Sequence, residues 1–215
     1  MTRAVTKPAR RVATYEDLLA VPEPLVAEIL FGELVTHPRP APRHARAAAR
    51  LHGILAPPFD LGVGGPGGWM FLMEPELHLG KHVAVPDLAA WRLERLPQLP
   101  DTAWIETAPD WVCEVLSPST EGYDRGEKRL IYAEASVAHL WQVNPLLEML
   151  EVFELKEGKW VLLDVLRNDA RVAADPFSQF AFSLGSLWSS GPVPSARVRS
   201  ATRVMRKRTK KRKRS

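Results

Sequence analysis

The segment from Pro109 to Asn144, PDWVCEVLSPSTEGYDRGEKRLIYAEASVAHLWQVN, decides the fold. It reads as strand, polar loop, helix and strand, a unit that needs a sheet to sit in. Trp111 to Leu116 is a run of apolar and β-branched residues with one acid, Glu114, inside it. Ser117-Pro118-Ser119-Thr120 ends that run, because proline and small hydroxyl residues favour turns. Asp124, followed three residues later by Glu127, has the spacing of a capping box and predicts a helix start there. Leu130, Ile131, Ala133 and Ala135 give the helix a partly apolar face, and His139 to Val143 resumes a strand-like run. A carboxylate inside a buried strand is costly unless it is paired or holds a cation. Glu114 is therefore the residue to explain.

On the N-terminal side, Thr14 with Asp17 predicts a cap that opens a short helix through Leu19, stopped before Pro22 and Pro24. Leu25 to Leu30 and Glu33 to Val35 flank Phe31-Gly32, the pattern of a hairpin, with Glu28 in its first arm. Pro38, Pro40 and Pro42 make a stiff connection to an alanine-rich helix, His44 to Leu55, ended by Pro57-Pro58. Gly62 to Gly68 lacks the Gly-Lys-Ser/Thr ending of a phosphate-cradling loop and reads as a flexible connection. Trp69 to Leu79 and His82 to Trp91 are strand candidates, the second interrupted by Pro86-Asp87, and Leu93 to Pro109 is a loop. On the C-terminal side, Met149 to Leu155 and Trp160 to Val165 flank Lys156-Glu157-Gly158-Lys159, a second hairpin. Phe177 to Leu187 carries apolar residues expected to close the core. The order predicts an α/β (α+β) fold: a mixed sheet flanked by helices, with added hairpins.

Bulk properties narrow the class. The 215 residues suffice for one well-packed domain, and 46% hydrophobic with 25% charged residues is an ordinary globular composition. No run approaches the roughly 18 apolar residues of a membrane span, and no apolar signal core follows the first basic residues. A single cysteine, Cys113, excludes an intramolecular disulfide framework and fits a reducing cytoplasm. Residues 191–215 hold 11 of the 29 Lys and Arg and no acid, which leaves 18 basic against 25 acidic side chains in the first 190, a net of −7. The expected organisation is a flexible N-terminus over 1–13, one domain over 14–190, and a disordered basic tail over 191–215.

Asp87 and Glu114 fall at or near the ends of neighbouring strand candidates. On strands about 4.8 Å apart two carboxylates can converge on one divalent cation. Oxygen ligands with open water positions suit magnesium, which polarises phosphoryl oxygens and activates bound water. Residue 116 is leucine, so an acid–x–lysine signature is incomplete; the nearest lysine is Lys128, on the following helix. Its ammonium could orient a water or neutralise charge growing on a phosphorane, or pair with Asp124 one turn before it.

These residues resemble the Uma-two family of restriction-endonuclease-like proteins in the PD-(D/E)XK nuclease superfamily. The resemblance is carried by Pro86-Asp87-Leu88, by Ala108 to Thr120 with its Glu-Val-Leu-Ser-Pro-Ser-Thr string, by Glu127-Lys128-Arg129 with Tyr132-Ala133, and by Leu140 to Pro145. Thr14 to Leu19, Glu28 to Val35 and Pro42-Arg43-His44 are similar to its opening helix, hairpin and next helix. The likeness spans roughly residues 13–188. It departs from the family pattern at Phe31, where an acid is usual, and at Ala27, where an aromatic is. What the resemblance implies is a magnesium-dependent (or manganese-dependent) phosphodiesterase acting on DNA. Asp87 and Glu114 would be the metal ligands and Lys128 the displaced catalytic lysine. Glu28 would be a further acid, and His44 a contact to metal, water or phosphate. A homodimer would suit double-strand cutting. The rival is a nucleic-acid-binding or accessory protein that keeps the fold without turnover, and the leucine at 116 is what favours it.

The run from Arg203 to Arg214 is almost devoid of apolar residues. Arg206, Lys207, Arg208, Lys210, Lys211, Arg212, Lys213 and Arg214 form a polyanion-binding stretch that would hold DNA by counterion release without reading sequence.

Overall fold

In a computed structural model, residues 11–188 are described. The elements in chain order are α1 (Tyr15–Leu19), β1 (Leu25–Leu30), β2 (Glu33–Pro38), α2 (Pro42–Phe59), β3 (Trp69–Met73), β4 (Leu77–Leu79), β5 (His82–Ala84), β6 (Leu88–Arg92), β7 (Trp111–Val115), α3 (Glu121–Arg125), α4 (Glu127–Glu134), β8 (His139–Asn144), β9 (Met149–Lys156), β10 (Lys159–Arg167), β11 (Arg171–Val172) and β12 (Phe182–Ser183). The central sheet has the order β10-β9-β8-β7-β6-β3, and a second sheet has the order β2-β1-β5-β4. Only β7 and β8 pair in parallel in the central sheet; its other neighbours are antiparallel. The parallel pair is the one joined by α3 and α4, as a strand–helix–strand crossover requires.

Every residue of β7 is buried, so both faces of the sheet are covered. With a side-chain period of two, Trp111, Cys113 and Val115 enter one core together with Leu51, Leu55 and Phe59 of α2 and with Phe177, Leu184 and Leu187. Phe177 is the hub of that core, with ring centroids 4.7 to 5.7 Å from Phe59, Trp69, Phe71, Trp111 and Trp141. Val112 points the other way, into a core shared with Ile131 and Tyr132 of α4 and with Leu30, Leu77 and Ala84 of the second sheet. Glu114 has the parity of Val112 and so faces the second sheet. Cys113 is a fully buried core residue, its thiol pushed up by burial.

The Thr14–Asp17 capping box is present, and both predicted hairpins form. The first turns on Phe31 and Gly32 at φ 51° and 78°, and the second on Glu157 and Gly158 at φ 50° and 72°. Such paired left-handed residues match the twist of a two-residue hairpin.

Four expectations need correction. α2 does not stop at Leu55 but runs through Pro57 and Pro58 to Phe59. Each proline withholds the N–H that would bond the carbonyl four residues before it, and the burial of Pro58 and Phe59 holds the turn in place despite that loss. The stretch at 62–68 is not a loose connection. Val63 and Gly67 donate their N–H groups to the Pro57 and Pro58 carbonyls, which folds it against the helix end. Each long strand candidate is split, at Pro75 and at Pro86, so that β3 and β6 serve the central sheet while β4 and β5 serve the second. Finally, Asp124 does not cap a helix. It lies within α3, and α4 starts after Gly126, where an added Cβ would stand 2.9 Å from the Gly122 carbonyl.

Candidate active site

The β6–β7 register pairs Leu88 with Cys113 and Ala89 with Val112; continued by one residue, it sets Asp87 across from Glu114. Pro86 cannot donate to a ladder, and beyond the paired residues a side chain takes the place of the backbone acceptor: Val115 donates its N–H to Asp87 Oδ2 at 2.7 Å. Asp87 Oδ1 faces His44 Nε2 at 3.3 Å, which brings the first turn of α2 to the end of the central sheet.

The second sheet delivers Glu28. Its Oε1 accepts the Val85 N–H at 2.7 Å, and its Oε2 lies 3.4 Å from His37 Nε2. Lys128 reaches back from α4 into the junction of the two sheets. Its ammonium is 3.0 Å from Glu114 Oε1, 3.1 Å from Glu28 Oε1 and 3.4 Å from Asp124 Oδ1, and it donates to the Val85 carbonyl at 3.2 Å. The Tyr132 hydroxyl, one turn further along α4, donates to Glu114 Oε1 at 2.5 Å. Asp124 is held in turn by the Thr120 hydroxyl at 2.8 Å. Glu28, Glu114, Asp124 and Lys128 are all buried.

Three carboxylates thus meet one ammonium, with a fourth, Asp87, and two imidazoles at the edge. Burial, opposed by Lys128 and reinforced by Asp124, Asp87 and Glu28, pushes the Glu114 carboxyl well above the usual range. Asp124 is raised for the same leading reason. Burial also works against Glu28, but Lys128, His37 and the Val85 N–H outweigh it and hold this carboxyl low. Burial would strip the proton from Lys128, yet Glu114 and Glu28 overcome it, and the lysine stays charged. Burial likewise opposes the His44 imidazolium and is outweighed by Asp87, so its pKa is raised; that of His37 is raised chiefly by its hydrogen bond to Glu28.

The structure therefore brings Asp87, Glu114, Lys128 and His44 to the lining of one cavity of about 320 Å³, and Glu28, which is not on that lining, joins them through the Lys128 ammonium. Sequence reasoning missed His37 and Tyr132, and gave Asp124 no place in the site. Asp124 was read as a cap and as the i−4 partner of Lys128; the pairing forms, at 3.4 Å, but inside the protein. His37 had no assigned role, yet once the hairpin closes on Val26↔His37 and Glu28↔Val35 it lies diagonal to Glu28 on the same face. Tyr132 follows Lys128 by one turn. Oxygen donors carrying uncompensated negative charge fit a divalent cation. Among the described residues no three His, Cys, Asp or Glu side chains form a ready-made cage, so Asp87 and Glu114 would hold such an ion with water completing its shell.

Comparison with known proteins decides the family. The model of the Uma2 family, described as "Putative restriction endonuclease", matches residues 12–185. The chain belongs to the Uma2 family. Among solved structures, this Uma2 protein is similar to one described as "a putative nuclease belonging to DUF820" from Anabaena variabilis. Identity is 21%, the TM-score is 0.65, and the match covers 82% of this chain and 97% of the other. At that identity the likeness establishes a shared nuclease-like fold. No curated protein matches the chain. Among the described residues no helix is long and apolar enough to cross a membrane. The basic run at Arg206 to Arg214 lies outside the described residues.

Proposed function

We propose that this Uma2 protein hydrolyses DNA phosphodiesters with a divalent cation, magnesium or manganese, held by Asp87 and Glu114. One observation carries the reading: more buried carboxylates converge at the end of β7 than Lys128 can neutralise. The cation would supply positive charge beside a phosphoryl oxygen and lower the pKa of a bound water. The protein's own groups do the rest. The Val115 N–H and His44 fix Asp87 at the cavity wall, and the Tyr132 hydroxyl and Lys128 fix Glu114 through Oε1, leaving Oε2 clear of both contacts. Lys128 offsets negative charge within the cluster, and two copies of the chain would allow both strands to be cut. The basic tail would keep the protein on DNA without reading sequence.

The accessory-protein reading is favoured by one feature. Lys128 has three N–H donors and faces three carboxylates and the Val85 carbonyl, so none is left for a substrate. Incubation of the full chain with plasmid and magnesium, alongside Glu114→Gln and Asp87→Asn, separates the two. Cleavage abolished in both variants while DNA affinity persists supports hydrolysis. A wild type that binds and never cuts supports the accessory role.

A further inference from the structure

The cavity at the end of β7 is a hostile place for a phosphodiester. Its lining carries Asp87, Glu114, Asp124 and the exposed Glu74, and the buried ammonium of Lys128 is consumed by Glu28, Glu114 and Asp124. An anion entering the cavity needs a cation that is not already spoken for. His37 and His44 are engaged with Glu28 and Asp87. The remaining basic side chain on the lining is Arg39, which is exposed and makes no ion pair among the described residues.

Its position is set by the chain on either side. β2 ends at Pro38 and α2 begins at Pro42, and Arg39 stands between Pro38 and Pro40, whose rings fix φ at both neighbours. His37, two residues before it, sits on Glu28, and His44, five residues after it, sits on Asp87. The segment is thus pinned to the site at both ends, with the exposed Arg39 on the cavity lining between them. Among Glu28, Asp87, Glu114 and Asp124, Asp87 is the one that is not fully buried, its side chain 13% exposed. A phosphate meeting the cluster from solvent therefore meets it at the Asp87 end.

We propose that Arg39 grips the phosphate of the nucleic-acid strand at the mouth of this cavity, in the substrate-binding role that the buried Lys128 has no free donor to fill. The inference rests on the nuclease reading above. A guanidinium presents two parallel N–H groups to phosphate oxygens, which sets orientation as well as charge.

The test uses the full chain carrying Glu114→Gln, so that DNA is bound and not cut, and a fluorescein-labelled 12-nucleotide single strand read by anisotropy from 50 to 200 mM salt. Adding Arg39→Ala is expected to weaken binding about tenfold and to lower the slope of log affinity against log salt by roughly one contact. Slopes add, so the basic tail subtracts out. Arg39→Lys is expected to restore the slope and only part of the affinity. Arg43→Ala, an exposed arginine of the first turn of α2 off the cavity lining, is the control. Loss from Arg39→Ala with Arg43→Ala unchanged supports the proposal. An unchanged slope in Arg39→Ala, or equal losses in both variants, overturns it. If the Glu114→Gln protein binds no nucleic acid at all, the nuclease reading itself has failed, a result distinct from the other two.

Discussion

Lys128 on α4 and Glu114 on β7 stand 3.0 Å apart inside the protein, and the pKa of each is raised, that of Glu114 against the pull of the ammonium and that of Lys128 with the pull of the carboxylate. Glu114 is raised despite the ammonium beside it, because burial acts together with Asp124, Asp87 and Glu28; Lys128 is held charged despite burial, because Glu114, Glu28 and Asp124 surround it. The pair is the centre of a cluster with surplus negative charge, not an isolated ion pair.

Removing the ammonium leaves that charge buried and unpaired. Lys128→Met is expected to destabilise the fold by about 3–5 kcal/mol, measured by urea denaturation. Adding Glu114→Gln to it should recover part of the loss, since one of the stranded charges is then gone. A Lys128→Met variant within 1 kcal/mol of wild type would contradict the burial described.

Glu114→Gln alone behaves differently. It removes a charge that its surroundings disfavour, so stability is expected to stay within about 1 kcal/mol of wild type or to rise. Magnesium binding by calorimetry should weaken in the same variant. Unaltered magnesium binding would remove Glu114 from the ligand set.

The His44–Asp87 contact predicts a pH dependence with a defined sign. A histidine whose folded pKa is raised contributes stability that is fully present below its unfolded value of about 6.5 and is lost as pH rises through the folded value. The difference in Tm between wild type and His44→Gln should therefore be largest near pH 6 and shrink as the solution turns alkaline. A difference that grows with pH would show that His44 is neutral in the fold.

Phe177 fills the space between five other aromatic rings on the α2 side of the sheet. Phe177→Ala is expected to cost about 3–5 kcal/mol, through lost burial and the cavity left behind, read as a lower denaturation midpoint. The site lies on the opposite face of β7, so magnesium affinity of the folded fraction should be retained.

Deletion of residues 200–215 is a test of the basic run on its own. DNA affinity should fall evenly across sequences and its salt dependence should flatten. Equal affinity and slope would show that the run does not touch the DNA.

Much of this was written in the chain as local signals. The hairpins at Phe31-Gly32 and Glu157-Gly158, the Thr14 cap and the buried apolar run around Glu114 are local matters of turn chemistry and side-chain period, and they form as read. The candidate acids stood out for the same reason: Asp87 beside Pro86 and Glu114 among apolar residues are anomalies visible without coordinates. What the chain alone left open was long-range. The prolines at 57 and 58 read as a stop, and packing against the core overrode them. Asp124 read as a cap, and the pull of a buried ammonium one turn away turned it inward. Which cation each acid would meet depended on two sheets closing on one another, which brings Glu28 and His37 from β1 and β2 to Glu114 on β7. Local sequence sets periodicity and turns; the partners of a buried charge are chosen by whatever the fold packs against it.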